Sequence, residues 1–563
     1  MPNLQAVSPG RRFPHRAKLP RKVAPGTAPS LEPAWLLCPS GAWALDSRVD
    51  TLSDAADPAA WAGVGSIGED PAASESEMEL AAVRPAIDDE REAHAESSPA
   101  EPPRQVSAKA LWGTELRATT ALSAPLIATS LAQMAINASS IMMIGRLGVD
   151  KLAATGLANG VYNSFMVFGV GFVSAVAPMM ANERGRNRHA VRELRRTFRQ
   201  GLWAALAITL PIWAILWQIE PLLIQLGQQP ENAAQAKEFM HHLQWGLLPQ
   251  LCYAVLRSFM SVLERPLWTL LAVAGAILVN IGLGSCLIFG YLGLPALGLA
   301  GAGVAGACAG AALFLGLALV ATLDRQFRRY RLFGRFWRAD WTRLREVVRL
   351  GLPIAITIAF ETTIFSASML MMGLIGTIAV AAHAVVLQIG TLGYMVPTGI
   401  AQAATVRVGL GRGAGDAARV GRAGWTAYAM ALTASCLVAL LVVLAPRTFV
   451  SAFIAIDDPA NAPVVALAMT YLSVVALFLL ADSVQVVAAG MLRGLYDTRM
   501  PMVIAGIGYW VVGLPLGALL AFHFGFGGVG IWLGLAAGLG AVGIAMTARW
   551  AMRRKLGMLR AIG

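Results

Sequence analysis

The chain has 563 residues and a formal charge of +12, yet only 14% of its residues are charged and 56% are hydrophobic. A soluble globular domain carries roughly 25% charged residues, so that class is excluded. The apolar surplus comes in blocks of about twenty residues, the length that crosses a hydrocarbon core, and the sequence predicts an all-α polytopic membrane protein.

Residues 1–110 read as a separate N-terminal tail. Its first thirty residues are basic ("RRFPHRAKLPRK"), and the stretch after them is acidic and rich in Ala, Pro and Ser ("SESEMELAAVRPAIDDEREAHAESSPAEPP"). Without periodicity or a long apolar run, this composition predicts disorder. "AWLLCPSGAWAL" is too short for a signal-peptide core, and a start further downstream, for instance at Met78, is an alternative reading of the tail.

Beyond Leu116 twelve helices fit: 118–144, 152–181, 200–219, 239–263, 266–290, 296–322, 349–373, 378–408, 423–446, 463–492, 500–523 and 528–550. Gly- and Pro-rich turns such as "FGYLGLPALG" separate them. The expected domains are an N-terminal six-helix lobe at 118–322, a basic cytoplasmic linker at 323–348, a C-terminal six-helix lobe at 349–550 and a cytoplasmic tail at 551–563.

The charge of +12 has the size of a nucleic-acid signal, but its distribution is that of a topology signal. The connections "NERGRNRHAVRELRRTFR" and "DRQFRRYRLFGRFWRADWTRLREVVR", the arginines 407, 412, 419 and 422, and the C-terminal Arg549, Arg553, Arg554 and Lys555 all fall on one side if the helices alternate. Basic residues stay cytoplasmic, so both termini are expected inside the bacterial inner membrane, and no nucleic-acid partner is expected.

The chain also resembles itself at an offset of 228 residues. "APLIATSLAQMAINASSIMMIGRLG" aligns with "LPIAITIAFETTIFSASMLMMGLIG", pairing Pro125 with Pro353, Ser140 with Ser368 and Gly145 with Gly373. The match runs on through Gly171/Gly399 to Gly185/Gly413, and "LRSFMSVLERP" later echoes "LRGLYDTRMP". Six helices follow each start. An even number keeps the two halves parallel, as in many secondary transporters.

Two acids stand out against this pattern. Glu361 is the one residue between Arg349 and His383 that can carry a charge near neutral pH, and it aligns with the neutral Gln133. Asp482 is alone between Asp458 and Arg493, with Gln485 one turn later on the same face. No basic residue is expected at their depth, since Arg407 and Arg493 sit near cytoplasmic ends and His383 near the outer end. Intramembrane carboxylates mark functional sites by default; the structural alternative is a static hydrogen bond from Asp482 to a nearby Ser or Gln. Such an acid can exchange a proton or pair with an imported cation.

These residues resemble the multidrug and toxic compound extrusion (MATE) family, in its bacterial NorM-like branch. "MMIGRLG", "RSFMSVLERPLWTLLAVAGAILVNIGL", "GLPIAITIAFE" and "ADSVQVVAAGMLRGLYDTRMP" carry the resemblance, which covers about residues 118–550. It implies two six-helix lobes around a central cavity. It also implies export of amphipathic, often cationic drugs or toxic metabolites in exchange for H⁺ or Na⁺, with Glu361 and Asp482 as the cation-coupling acids. Gln133, Ser140, Thr357, Phe365, Ser368, Phe478 and Gln485 are the candidate cavity-lining residues. The family pattern puts an aspartate late in helix one where this chain has Ser140, and in some Na⁺-coupled members a tyrosine where this chain has Phe478. The outer-half methionines Met142, Met143, Met369 and Met371 are candidates for an adaptable drug surface.

Six lysines and no Gly-rich loop ending in Lys-Ser or Lys-Thr leave no ATP machinery, and no catalytic triad or metal cluster is visible. The expectation is therefore no enzyme activity, no cofactor, no metal beyond Na⁺ at Glu361 and Asp482, small-molecule and lipid partners, and a monomer. The alternative function is a lipid-linked precursor flippase of a related fold, which would call for a strongly cationic cavity.

Overall fold

The computed structural model describes residues 107–559 apart from 188, 294 and 335–339. Nearly all of the expected N-terminal tail lies outside these residues, as does the end of the C-terminal tail. No strand occurs among the described residues. In lipid each backbone N–H and C=O must be satisfied within the protein, and the helix does this within a single segment.

The twelve membrane helices are α1 (Ala108–Gly145), α2 (Asp150–Arg186, with a turn at its middle), α3 (Val191–Trp217), α4 (Pro230–Leu243 continued by Leu247–Val262), α5 (Leu267–Phe289), α6 (Gly298–Leu323), α7 (Trp341–Ile375), α8 (Thr377–Gly413), α9 (Ala417–Leu444), α10 (Ala462–Gly494), α11 (Arg499–His523) and α12 (Gly527–Ala551). Eleven are long and apolar enough to cross a membrane. The twelfth, α4, has a polar first half ("PENAAQAKEFMHH") and a 3₁₀ turn at Gln244–Gly246.

Several helices start earlier than their apolar runs. The predicted 118, 200 and 349 become Ala108, Val191 and Trp341, so the linker expected at 323–348 is helical from Trp341 onward and again at Arg325–Arg328. Hydropathy reports only the part of a helix that sits in lipid, whereas the polar extensions are set by caps. Ser107 accepts from the amide of Ala110, Asp340 from that of Arg343 and Asp416 from that of Arg419.

The repeat is visible in local geometry. Pro125 and Pro353 lie inside α1 and α7. One turn later the Thr129 hydroxyl donates to the Pro125 carbonyl at 2.6 Å, and the Thr357 hydroxyl to the Pro353 carbonyl at 2.8 Å. The turns into α2 and α8 use Gly148 (φ 119°) and Gly376 (φ 149°), a conformation that a Cβ disfavours. In each half the second helix packs on the fourth, the fourth on the sixth and the fifth on the sixth.

Two hydrophobic cores result. One gathers residues of α1–α6 and the inner faces of α7 and α8, including Leu350, Ile354, Ala403 and Leu410. The other gathers α7–α12 and takes Ile127 of α1 against its edge. The lobes therefore meet through α1, α2, α7 and α8. At the end carrying the basic connections the contact is backbone to backbone: a methyl group on Gly185 would overlap the Leu410 carbonyl, and one on Gly413 the Asn182 carbonyl. Ion pairs surround this contact. Arg407 of α8 is bidentate to Glu115 of α1, at 2.8 Å for both bonds, and reaches Glu264 at 2.7 Å. Glu264 has φ 59°, a strained conformation for a non-glycine residue. Arg343 pairs with Glu183 and Glu193, and Arg196 with Asp340.

Candidate functional site

Glu361 lies halfway along α7, and Asp482 and Gln485 on α10. The C-lobe bundle brings all three to one place. The Glu361 carboxyl lies beside the side chains of Tyr394 and Gln485, and its charge acts on Asp482. Asp482 and Gln485 are 2% and 1% exposed, while Glu361 is only half-buried. One carboxylate is thus sealed within the lobe and the other retains access.

Tyr394 of α8 and Tyr509 of α11 face both acids. Neither hydroxyl carries a charge at neutral pH, so a search for charged residues in apolar runs passes over them. Tyr509 sits in a π-helical segment, Ile507–Gly513, and such bulges re-aim side chains at functional sites. Its signal in the sequence is "GIGYWVVG", where Gly508 and Gly513 let α11 lie tight against Gly538 and Val542 of α12.

Arg493 corrects the expectation that no basic residue reaches this depth. Its charge acts on Glu361, Tyr394 and Tyr509. Side chains on a helix lean toward its N-terminus, and the N-terminus of α10 is at the far end, so Arg493 leans back toward the acids. The other lobe repeats the arrangement without the acid: Arg257 of α4 donates to the Gln133 amide oxygen at 3.5 Å.

Three polar atoms here have no hydrogen-bond partner among the described residues: Asp482 Oδ1, Gln485 Oε1 and the Tyr509 hydroxyl. Buried polar atoms are normally paired. Oxygens in this number suit a proton, water or a hard cation, which takes oxygen ligands.

The remaining expected cavity residues divide. Thr357 is buried and its hydroxyl is taken by the Pro353 carbonyl, so it does not join the acids. Ser368 donates to the Phe365 carbonyl at 2.8 Å and lies 3.5 Å from His383 Nε2. Phe478 packs edge-on against Phe365 and Trp532, with centroids 6.0 and 5.4 Å apart. Ser140, at the position of the family's aspartate, joins a neutral network in which Asn280 Nδ2 donates to the hydroxyls of Ser139 and Ser140 at 2.9 and 3.0 Å. Of the methionines, Met142 is exposed, while Met143 packs against Gly284.

A family model, MatE, matches the chain twice, at residues 125–285 and again at 353–519. The chain belongs to the MatE family. The two matches begin 228 residues apart, which is the offset of the internal repeat. The chain is similar to the probable multidrug resistance protein NorM of Brucella suis biovar 1 (strain 1330), 53% identical over 451 residues that cover 80% of this chain and 95% of that protein. The protein of the same name in Mesorhizobium japonicum is 51% identical, over 80% of this chain and 97% of that protein. Among solved structures, the eukaryotic MATE transporter AtDTX14 superposes with a TM-score of 0.72 at 21% identity, covering 80% of this chain and 98% of that one. A multidrug resistance MATE family transporter in an outward-facing conformation does so with a TM-score of 0.70 at 19% identity, covering 80% and 96%. The MatE chain is therefore a multi-pass membrane transporter and not an enzyme, with the two-lobe fold.

Proposed function

We propose that this MatE transporter exports amphipathic, mainly cationic drugs or toxic metabolites across the bacterial inner membrane in exchange for H⁺ or Na⁺, with both termini in the cytoplasm. The observation that carries the reading is the convergence of Glu361 and Asp482 in one lobe, beside unpartnered oxygens. Two carboxylates at close quarters resist holding two negative charges, so they take up a cation as a pair. Binding that cation changes the charge of the C-lobe core. It biases the transporter toward one opening, provided the cation binds the two states with different affinity. The drug favours the other opening, and exchange follows without contact between drug and cation.

The names of the Brucella and Mesorhizobium relatives support the multidrug part. The flippase alternative would want a strongly cationic cavity, and one arginine per lobe, Arg257 and Arg493, is a weak match to that. The test is uptake of a fluorescent cationic dye into everted vesicles under an imposed pH gradient and, separately, a Na⁺ gradient. Uptake driven by either gradient supports exchange. Uptake that needs ATP, or none under both gradients, overturns it.

A further inference from the structure

At the basic end of the C lobe, α1, α9 and the segment after α12 enclose a cleft of about 300 Å³. Its walls include Trp112, Gly421, Arg422, Trp425, Arg553 and Arg554. We propose that this cleft binds the phosphate headgroup of an anionic membrane phospholipid.

Arg553 is only 8% exposed. Nη1 donates to the Trp550 carbonyl at 3.0 Å, and the guanidinium lies 4.6 Å from the Trp550 ring centroid. Nε has no partner, and no carboxylate pairs with it among the described residues. Burial and the adjacent Arg554 charge push its pKa down from the ordinary arginine value. A buried charge is ordinarily paired, and this one faces a cleft that holds two more arginines. Neither nearby acid reaches Arg553: Asp497 pairs with Arg549 at 2.6 Å, and Asp416 caps α9 and lies 3.7 Å from Arg422 at the edge of the cleft.

Two glycines build the back wall. A methyl group on Gly421 would come 2.9 Å from Arg553 Nη2, and one on Gly424 would overlap the Trp550 ring. The corresponding corner of the N lobe is finished differently. There the arginines meet acids, as in Arg196 with Glu193 and Asp340, and Phe327, Tyr330 and Leu332 are buried in the lobe's core. The C-lobe corner is left with an unmatched cation and open volume.

The position identifies the anion as a lipid. Trp112, Met552 and Leu556 are exposed beside the arginines, the mixture of aromatic, apolar and cationic side chains that sits at a membrane–water boundary. Planar guanidinium groups match phosphate oxygens in pairs, and basic pockets between membrane helices take anionic headgroups.

Native mass spectrometry of the purified full chain, with phosphatidylglycerol or phosphatidylcholine added back, tests the site. Retention of phosphatidylglycerol over phosphatidylcholine is expected. R553Q should lower it roughly tenfold, as for loss of a charged hydrogen-bonding group. R422Q/R554Q, which leaves the buried side chain in place, should lower it as well and carries the test if R553Q does not fold. Equal retention in wild type and R422Q/R554Q overturns the proposal. So does displacement of the lipid by excess inorganic phosphate, which would make the ligand a soluble anion. Phosphatidylglycerol binding that appears only after removal of residues 1–105 also overturns it, because the acidic stretch of the chain would then be the occupant.

Discussion

The two lobes share a backbone plan and differ at its polar centre. Each has a proline-bent first helix, a threonine bonded back to that proline, and an arginine on its fourth helix aimed at the first. In the N lobe that arginine, Arg257, meets Gln133, and the buried polar centre is the neutral set Ser139, Ser140 and Asn280. In the C lobe Arg493 acts on Glu361, and Asp482, Tyr394 and Tyr509 complete the group. The two copies thus share the parts that packing requires, while the carboxylates of the polar centre lie in one copy among the described residues. A neutral hydrogen-bonded network holds one state. A carboxylate pair can change its charge by taking up a proton or a cation.

The lobes differ most sharply at Glu361. Glu361→Gln gives the C lobe the amide of the N lobe, and gradient-driven dye transport in everted vesicles should fall to background with insertion unchanged. Asp482→Asn should cost about as much, and the double variant little more than either, as for residues acting as a unit. Independent, multiplicative losses would show two separate sites. Adding Gln133→Glu to Glu361→Gln should not restore transport, since no acid accompanies position 133 in its own lobe; recovery would show the lobes to be interchangeable.

Next in size is the clasp between the lobes. Arg407→Ala leaves Glu115 and Glu264 without their partner, and breaking a buried pair costs about 3–5 kcal/mol. Faster hydrogen exchange at residues 182–186 and 409–413 is expected, because these segments meet only while the basic end is closed. Unchanged exchange would mean that glycine packing alone holds that end.

Ser140→Ala sharpens the contrast from the neutral side. It removes one acceptor of Asn280, which should lower stability by about 1 kcal/mol and leave the response to a pH gradient intact. A lost pH response would place a coupling role in the N lobe after all. The smallest effect is expected from deleting residues 1–105, whose composition cannot bury a core; membrane insertion and efflux should both persist, and a truncated chain that inserts but does not transport would refute this.

Much of the fold was legible because lipid simplifies the problem. Every crossing must be a helix with an apolar stretch, so hydropathy located eleven outright, and the matched Pro and Gly positions exposed the duplication. α4 was read only from its apolar part, at 239–263, and its polar first turns from Pro230 onward carry no hydropathy signal. Helix starts were less legible, because Ala108, Val191 and Trp341 lie in polar segments, where the caps Ser107 and Asp340 set the first and third starts and no side chain caps the second. Of the site, Glu361, Asp482 and Gln485 could be found from sequence because a carboxylate in a hydrophobic run is costly and therefore conspicuous. The place of Thr357 could not be read from sequence, since a threonine bonded to its own helix and one facing a cavity look alike there.

What the sequence determined by itself was the class of molecule, the number and order of helices, the duplication and the two acids, all of which follow from the composition and spacing of neighbouring residues. Only the tertiary structure decided that the acids meet, and that Tyr394, Tyr509 and Arg493 stand around them. It alone showed that Gly185 and Gly413 touch across the lobes and that Arg553 is buried with no counter-charge among the described residues. Each of these is a contact between helices far apart in the chain. Such contacts depend on the rotation and tilt of each helix against its neighbours, which packing sets and a single helix's hydropathy does not contain.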